Sequence, residues 1–205
     1  MSGGPVKARP RSAGRIVAGS ARGLRLEGPP GDTRPMGDRL KEALFAILEP
    51  ALPGAAVLDL YAGSGAGALE ALSRGAARAV LVERNAGALA AITRNVEATR
   101  LAGRATIRRA EVVPWLRGQA AADGPFDVVL VDPPYDAPTE LTAALRAIAE
   151  AGPGRILSTT GTLVAKHPRR EALPARIGLL ASARERRFGE STLTFLRWAP
   201  DQESA

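Results

Sequence analysis

Asp132-Pro133-Pro134-Tyr135 sets a carboxylate, two residues without backbone N–H groups and an aromatic ring side by side, directly after the apolar run Phe126 to Val131. The prolines fix φ and leave nearby carbonyls as acceptors held in place. That grouping suits one kind of chemistry. An amine on an aromatic ring is a poor nucleophile because its lone pair is delocalised into the ring. If a carboxylate and a carbonyl accept its two N–H bonds, the nitrogen is drawn toward tetrahedral geometry and its lone pair is aimed at an electrophilic methyl group. The positive charge that develops on nitrogen then meets acceptors already oriented toward it. Tyr135 supplies a flat face for a flipped-out base, a contact worth ~1–3 kcal/mol in single-stranded recognition. With a reactive methyl donor, alignment can supply ~7–11 kcal/mol of the barrier reduction, and no separate general base is needed before transfer. Asp-Pro also occurs in plain strand-ending turns, so the motif takes its meaning from what shares its edge of the fold.

A second constellation lies about 70 residues earlier, where Asp59-Leu60-Tyr61-Ala62-Gly63-Ser64-Gly65-Ala66-Gly67 follows the apolar run Ala55 to Leu60 and opens a helix near Ala66. Glycines 63, 65 and 67 permit a tight turn and close approach of a ligand to the main chain. Nicotinamide and flavin enzymes use related loops. Asp59, at the strand end, would repel a pyrophosphate but can bind the ammonium of an amino-acid-bearing ligand. Glu83, ending the next apolar run, can accept two hydrogen bonds from ribose hydroxyls. Ala62, Gly63 and Gly65 give the backbone of the cradle, and Glu111, after the third run, is a candidate for the adenine end. An amino acid, a ribose and an adenine together describe S-adenosylmethionine.

These residues must be carried by a regular frame. Apolar runs at Ala55 to Leu60, Ala79 to Val82, Ala105 to Ile107, Phe126 to Val131 and Thr162 to Ala165 read as strands, with helix-length Ala- and Leu-rich segments between the first four. Such alternation specifies an α/β fold, a mostly parallel sheet with helices on both faces, and a ligand edge at the carboxyl ends of the strands. Two further strands, Ile177 to Arg184 and Thr192 to Trp198, joined through Phe188-Gly189-Glu190, complete seven as a terminal antiparallel hairpin. Asp38 reads as the N-cap of a preceding helix that Pro50 and Pro53 end. Residues 1–14 read as a flexible basic arm, 15–37 as an N-terminal hairpin extension and 38–205 as the catalytic domain.

Charge agrees with a polyanionic partner. Lys and Arg number 28 against 21 Asp and Glu, giving +7 and a pI near 10.8. The excess is uneven: Lys7, Arg9, Arg11, Arg15, Arg22 and Arg25 precede the first acidic residue, Glu27, and Arg184, Arg186 and Arg187 cluster near the C-terminus. Without cysteine, disulfides, thiolate metal sites and cysteine nucleophiles are excluded, and one histidine, His167, makes a histidine-based metal site an unsuitable reading. With no apolar run of membrane-spanning length and no apolar leader segment, a cytoplasmic protein is expected.

Thr33-Arg34-Pro35, Asp38-Arg39-Leu40-Lys41-Glu42 with Phe45, Asp59 through Gly65, Leu69 through Ala76, and Asp132 to Tyr135 together resemble the RsmD family of bacterial 16S rRNA guanine-N2 methyltransferases. The resemblance runs from Arg15-Ile16-Val17-Ala18-Gly19 to Phe188-Gly189-Glu190-Ser191-Thr192. It implies a Rossmann-like class I methyltransferase fold with a small N-terminal β-hairpin, S-adenosylmethionine as donor, and 16S rRNA, within a small subunit or assembly intermediate, as acceptor. It also implies that Arg34 and Arg39 face the ligand or the RNA and that Arg22 belongs to a hairpin that grips RNA, with Arg15 a further RNA-binding candidate; a monomer is expected. Three departures from the family pattern stand out. Met36-Gly37 replace small hydroxyl residues, Glu111 stands where Asp or Asn is frequent, and Lys166 replaces an acidic residue near the end of the fifth strand. His167 reads as a structural residue.

Asp-Pro-Pro-Tyr-like motifs also serve adenine-N6 DNA methyltransferases and protein-glutamine methyltransferases, and an rRNA-binding assembly factor could keep this fold without catalysis. At 205 residues the chain leaves little room for a large DNA target-recognition domain. If the basic arm tracks phosphates, deleting it should weaken RNA binding and flatten its salt dependence; an equal salt slope with and without the arm, measured by filter binding, would exclude that role.

Overall fold

The computed structural model describes residues 12–29, 36–134 and 137–199. Residues 1–11 of the expected arm, Arg34 and Tyr135 lie outside the described residues. The first described element, β1 (Ser12–Arg15), pairs antiparallel with β2 (Arg25–Glu27) as a separate two-stranded sheet. The hairpin therefore starts three residues inside the segment read as arm, because Ala13 is buried against the core. A truncation that isolates the arm must stop before Ser12.

Helix α1 (Asp38–Leu48) buries Leu40, Leu44, Phe45 and Leu48 at helical spacing. Its N-cap is Gly37, not Asp38 as the sequence suggests. The Asp38 carboxylate instead pairs with Arg15 at 3.3 Å and Lys41 at 3.8 Å, so it ties the helix start to the hairpin.

Strand and helix then alternate: β3 (Ala56–Leu60), α2 (Ala66–Ser73), β4 (Arg78–Glu83), α3 (Ala86–Thr99), β5 (Ala105–Arg109), α4 (Val112–Gly118), α5 (Ala120–Asp123), β6 (Phe126–Val131), α6 (Pro138–Ala151) and β7 (Leu157–Pro168). The chain closes with β8 (Arg176–Ile177), β9 (Leu180–Phe188) and β10 (Ser191–Trp198). The strand order is β5-β4-β3-β6-β7-β10-β9-β8; the first five strands run parallel, and β10 is antiparallel to both neighbours. This is the Rossmann-like arrangement, with two departures from the sequence reading. The fifth strand is far longer than Thr162 to Ala165. The sixth breaks at Gly178, whose φ of 56° diverts the chain, so a two-residue β8 makes an eighth strand beyond the expected seven.

Successive side chains in each parallel strand serve opposite layers. Val57, Leu81, Val128 and Val164 pack with Phe45, Leu69, Leu72 and Ile92 on the face of α1 to α3. Leu58, Val80, Val129 and Leu163 pack with Trp115, Leu145 and Ile148 on the face of α4 and α6. Burial on both faces is why these strands read as continuous apolar runs.

The hairpin is fastened to the first face by polar groups. The Glu70 carboxylate, fully buried on α2, accepts from Val17 N at 2.7 Å, Ala18 N at 3.0 Å and Arg74 Nε at 2.8 Å. Lys41, also fully buried, approaches the same carboxylate and donates to the Arg15 carbonyl. Burial pulls the Lys41 ammonium below its ordinary pKa, and Glu70 and Asp38 pull it back up. Gly19 is held against Ser73, where a Cβ would stand 1.9 Å from the Ser73 carbonyl oxygen. On α3, the buried Asn95 accepts from Glu27 N at 2.8 Å and donates to both the Glu27 and Ser64 carbonyls at 2.9 Å. One side chain thus joins the second hairpin strand to the glycine loop.

Glu70→Ala would leave two part-buried amides without their acceptor and remove one carboxylate from the buried Lys41 ammonium. A loss of about 3–5 kcal/mol in unfolding free energy is expected, accompanied by faster hydrogen exchange at Val17 and Ala18; wild-type exchange at those amides would show that the hairpin is held by its apolar contacts alone.

Candidate active site

Parallel pairing aligns the strand ends in a row: Leu60 sits opposite Val82 and Val131, and Val131 opposite Ala165. Alternation then turns Asp59, Glu83 and Lys166 toward the layer of α1 to α3, with Asp132 just past the end of β6. The structure therefore brings Asp59, Glu83, Asp132 and the Gly63–Gly65 loop to one edge.

Asp59 is buried, and its Oδ2 accepts from Ala68 N at 2.9 Å, which fixes the start of α2. Burial, against the pull of that hydrogen bond, pushes the carboxyl up to about 7, and the neighbouring Asp132 and Glu83 charges push the same way. Glu83 is the best-tethered acid of the set. Its Oε2 accepts from Gly63 N at 2.9 Å, and its Oε1 from Arg84 N and Asn85 N, each at 2.8 Å. Three N–H donors lock the carboxylate plane and bind it to the glycine loop.

The three glycines divide their duties. Gly65 (φ 77°) and Gly67 are required by packing, because a Cβ would meet Leu81 at 3.0 Å or Leu130 at 2.8 Å and Asp59 at 3.0 Å. At Gly63 (φ 57°) a Cβ would meet only the Tyr61 carbonyl, at 3.9 Å, so here the positive φ and not packing favours glycine. Ala62 is buried behind it, its amide donating to the Val82 carbonyl at 3.1 Å. Tyr61 holds a φ of 61°, unusual for a bulky residue, and its hydroxyl donates to the Glu140 carbonyl at 3.4 Å. Burial pushes that hydroxyl above its ordinary pKa.

Glu111 is exposed at the start of α4 and pairs with Arg84 at 3.5 Å; Arg84 also reaches Glu140 at 3.6 Å. Sequence reasoning passed over Arg84, and its place next to Glu83 was the available signal. A cleft of about 400 Å³ between α6 and β8, lined by Thr142, Arg146, Glu150 and Arg176 among others, contains none of the strand-end acids.

Asp132 is partly buried, with Pro133 buried and Pro134 exposed after it. Its partner was not foreseen: Lys166 Nζ lies 2.7 Å from Oδ1 and 3.0 Å from Oδ2. Burial raises the Asp132 carboxyl above the usual range, while the Lys166 ammonium draws it down. The substitution at 166 thus acts on the motif's own carboxylate. His167 contacts Thr194 Oγ1 at 2.9 Å and the Pro168 carbonyl at 3.1 Å, a structural setting between β7 and β10. Arg15, Arg22 and Arg39 are exposed around the hairpin and the start of α1, and Arg184, Arg186 and Arg187 are exposed on β9.

A family model described as Conserved hypothetical protein 95 matches residues 14–197. The chain belongs to this family. It is similar to YlbH of Bacillus subtilis, at 34% identity over 176 residues that span 85% of this chain and 94% of that protein. It is also similar to Ribosomal RNA small subunit methyltransferase D of Escherichia coli, at 42% identity over 123 residues, 59% of this chain and 60% of that one. The solved yhhF structure from Escherichia coli superposes with a TM-score of 0.79 at 29% identity, covering 91% of this chain and 98% of its own. The RsmD resemblance of the sequence and the family membership agree.

The Asp59 carboxyl gives a pH signature. Because its folded pKa is raised from 3.8 to about 7, the folded state binds the extra proton between those values. Stability from this group is complete below pH 3.8 and falls as pH rises to about 7. Asp59→Asn, which keeps an acceptor for Ala68 N–H, should therefore stabilise the ligand-free protein at pH 8 by on the order of a few kcal/mol and change little at pH 4; equal effects at both pH values in thermal melts would refute the raised pKa.

Proposed function

We propose that this protein uses S-adenosylmethionine to methylate the exocyclic N2 amine of a guanine in small-subunit (16S) ribosomal RNA. The observation that carries the reading is the convergence of Asp59, Glu83 and Asp132 on one strand edge beside the open Gly63 turn, in a chain whose relatives include a ribosomal RNA small subunit methyltransferase.

The donor set fits the cofactor. Asp59 is a buried acid whose raised pKa reflects an uncompensated site, so it suits an ammonium counter-charge. Glu83, oriented by three amides, suits ribose hydroxyls. Ala62, Gly63 and Gly65 provide the main-chain wall, and the exposed Glu111 suits the adenine end. When bound, S-adenosylmethionine supplies an electrophilic methyl group on a sulfonium.

The chain's own work is orientation. The Asp132 carboxylate and a backbone carbonyl of the Pro133-Pro134 segment accept the amine's two N–H bonds, and Tyr135 stacks on the base to hold the nitrogen in line. Developing positive charge on nitrogen is met by acceptors that need no reorganisation. The exposed Arg15, Arg22 and Arg39, with Arg34, bind phosphates at the hairpin side. The substrate is RNA in a small subunit or assembly intermediate, and the protein works as a monomer in the cytoplasm. Among the described residues no helix is long and apolar enough to cross a membrane.

Incubation with labelled methyl donor and small subunits lacking the modification, followed by mapping of the methylated base, tests the assignment. Asp132→Ala should reduce transfer by at least about 100-fold while calorimetry shows cofactor binding largely intact; wild-type turnover by that variant would end this mechanism.

A further inference from the structure

We infer that Lys166 is a positioning residue for Asp132: an ammonium on β7 that fixes the plane of the reacting carboxylate at the end of β6. This rests on the reading of Asp132 as the group that accepts the amine N–H bonds. The geometry is two-pronged, with Nζ 2.7 Å from one carboxylate oxygen and 3.0 Å from the other. Neither partner is a free surface group, since Lys166 is 8% exposed and the Asp132 side chain 27%.

The pairing follows from register. β6 and β7 are parallel neighbours with Val131 opposite Ala165, so the next residues on each strand, Asp132 and Lys166, are also neighbours. Lys166 is buried, and its Nζ reaches the carboxylate from β7. A carboxylate gripped through both oxygens cannot rotate about its Cβ–Cγ bond without breaking a charge-assisted hydrogen bond. Its outward lone pairs therefore stay aimed in one direction, which an acceptor for an in-line transfer needs.

The electrostatic setting makes a cation useful here. Among the described residues, the charged groups facing Asp132 are Asp59 on β3 and Lys166 on β7, with Glu83 on β4 beyond Asp59. Burial at this edge favours protonation of Asp132, and the Lys166 ammonium opposes it. A protonated Asp132 has one acceptor fewer and a competing O–H donor. The ammonium offsets that tendency, whereas an acid at position 166 would add like charge beside the carboxylate.

The test is a pair of variants, Lys166→Met, which keeps the length and removes the charge, and Lys166→Arg, which keeps the charge. The Asp132 carboxyl carbon is followed by NMR against pH in the full-length protein, and the pH profile of methyl transfer to small subunits is measured in parallel. With Lys166→Met the Asp132 midpoint should rise by about 1–3 pH units, and the acid limb of the rate profile should move with it. On that limb the rate then falls about tenfold for each pH unit the midpoint moves, while cofactor affinity stays at the wild-type value. Lys166→Arg should hold both midpoints near wild type. An unmoved Asp132 midpoint in a folded Lys166→Met protein overturns the inference, and so does a moved midpoint with an unmoved rate profile. Failure of the methylation reading looks different: the wild-type chain transfers no methyl group to the RNA, yet the Asp132 midpoint still moves with Lys166→Met.

Discussion

The register of four parallel strands is the constraint from which the site follows. Once Val57 to Leu60 is flanked by Ala79 to Val82 and Val128 to Val131, and those last residues by Thr162 to Ala165, the strand ends cannot be placed independently. A slip of one residue would turn every apolar side chain to the wrong layer. The core thus enforces the register, and the register gathers Asp59, Glu83, Asp132 and Lys166 from four separate parts of the sequence. Packing does the positioning, and the polar residues inherit it.

Bringing acids together at a partly buried edge raises their energy, and each is compensated by a different device. Glu83 receives three backbone amides, Asp132 receives a lysine, and Asp59 receives one amide at the start of α2. The compensation is thinnest at Asp59, where burial leaves the pKa near 7. An acid in that condition is a site with unused capacity for a cation. The row therefore grades from a rigid carboxylate held by three amides at Glu83 to a buried one held by a single amide at Asp59.

Much of this was legible in the sequence. Apolar runs locate the first four parallel strands to within two residues, though not the length of the fifth, and strand-end acids beside Gly-x-Gly and Asp-Pro-Pro-Tyr point to the edge where they meet. What sequence could not give were contacts made across strands. Local motifs carry no information about which residue lies beside Asp132, so Lys166 read as a departure of unknown effect. The glycine loop was legible in shape but not in detail, because whether a missing Cβ makes room for a ligand or for Leu81 and Leu130 depends on the packed helices. The N-cap of α1 and the start of β1 were misplaced for a related reason: tertiary ties among Arg15, Asp38 and Lys41 override the local capping preference.

The Asn95 amide has a consequence for how such proteins diversify. Its three hydrogen bonds hold the second hairpin strand through Glu27 and the glycine loop through Ser64. The hairpin is therefore no detachable accessory that could be exchanged between relatives like a cassette. An insertion or a graft there would carry its disturbance through a single carboxamide into the glycine loop, so the two segments are mechanically joined.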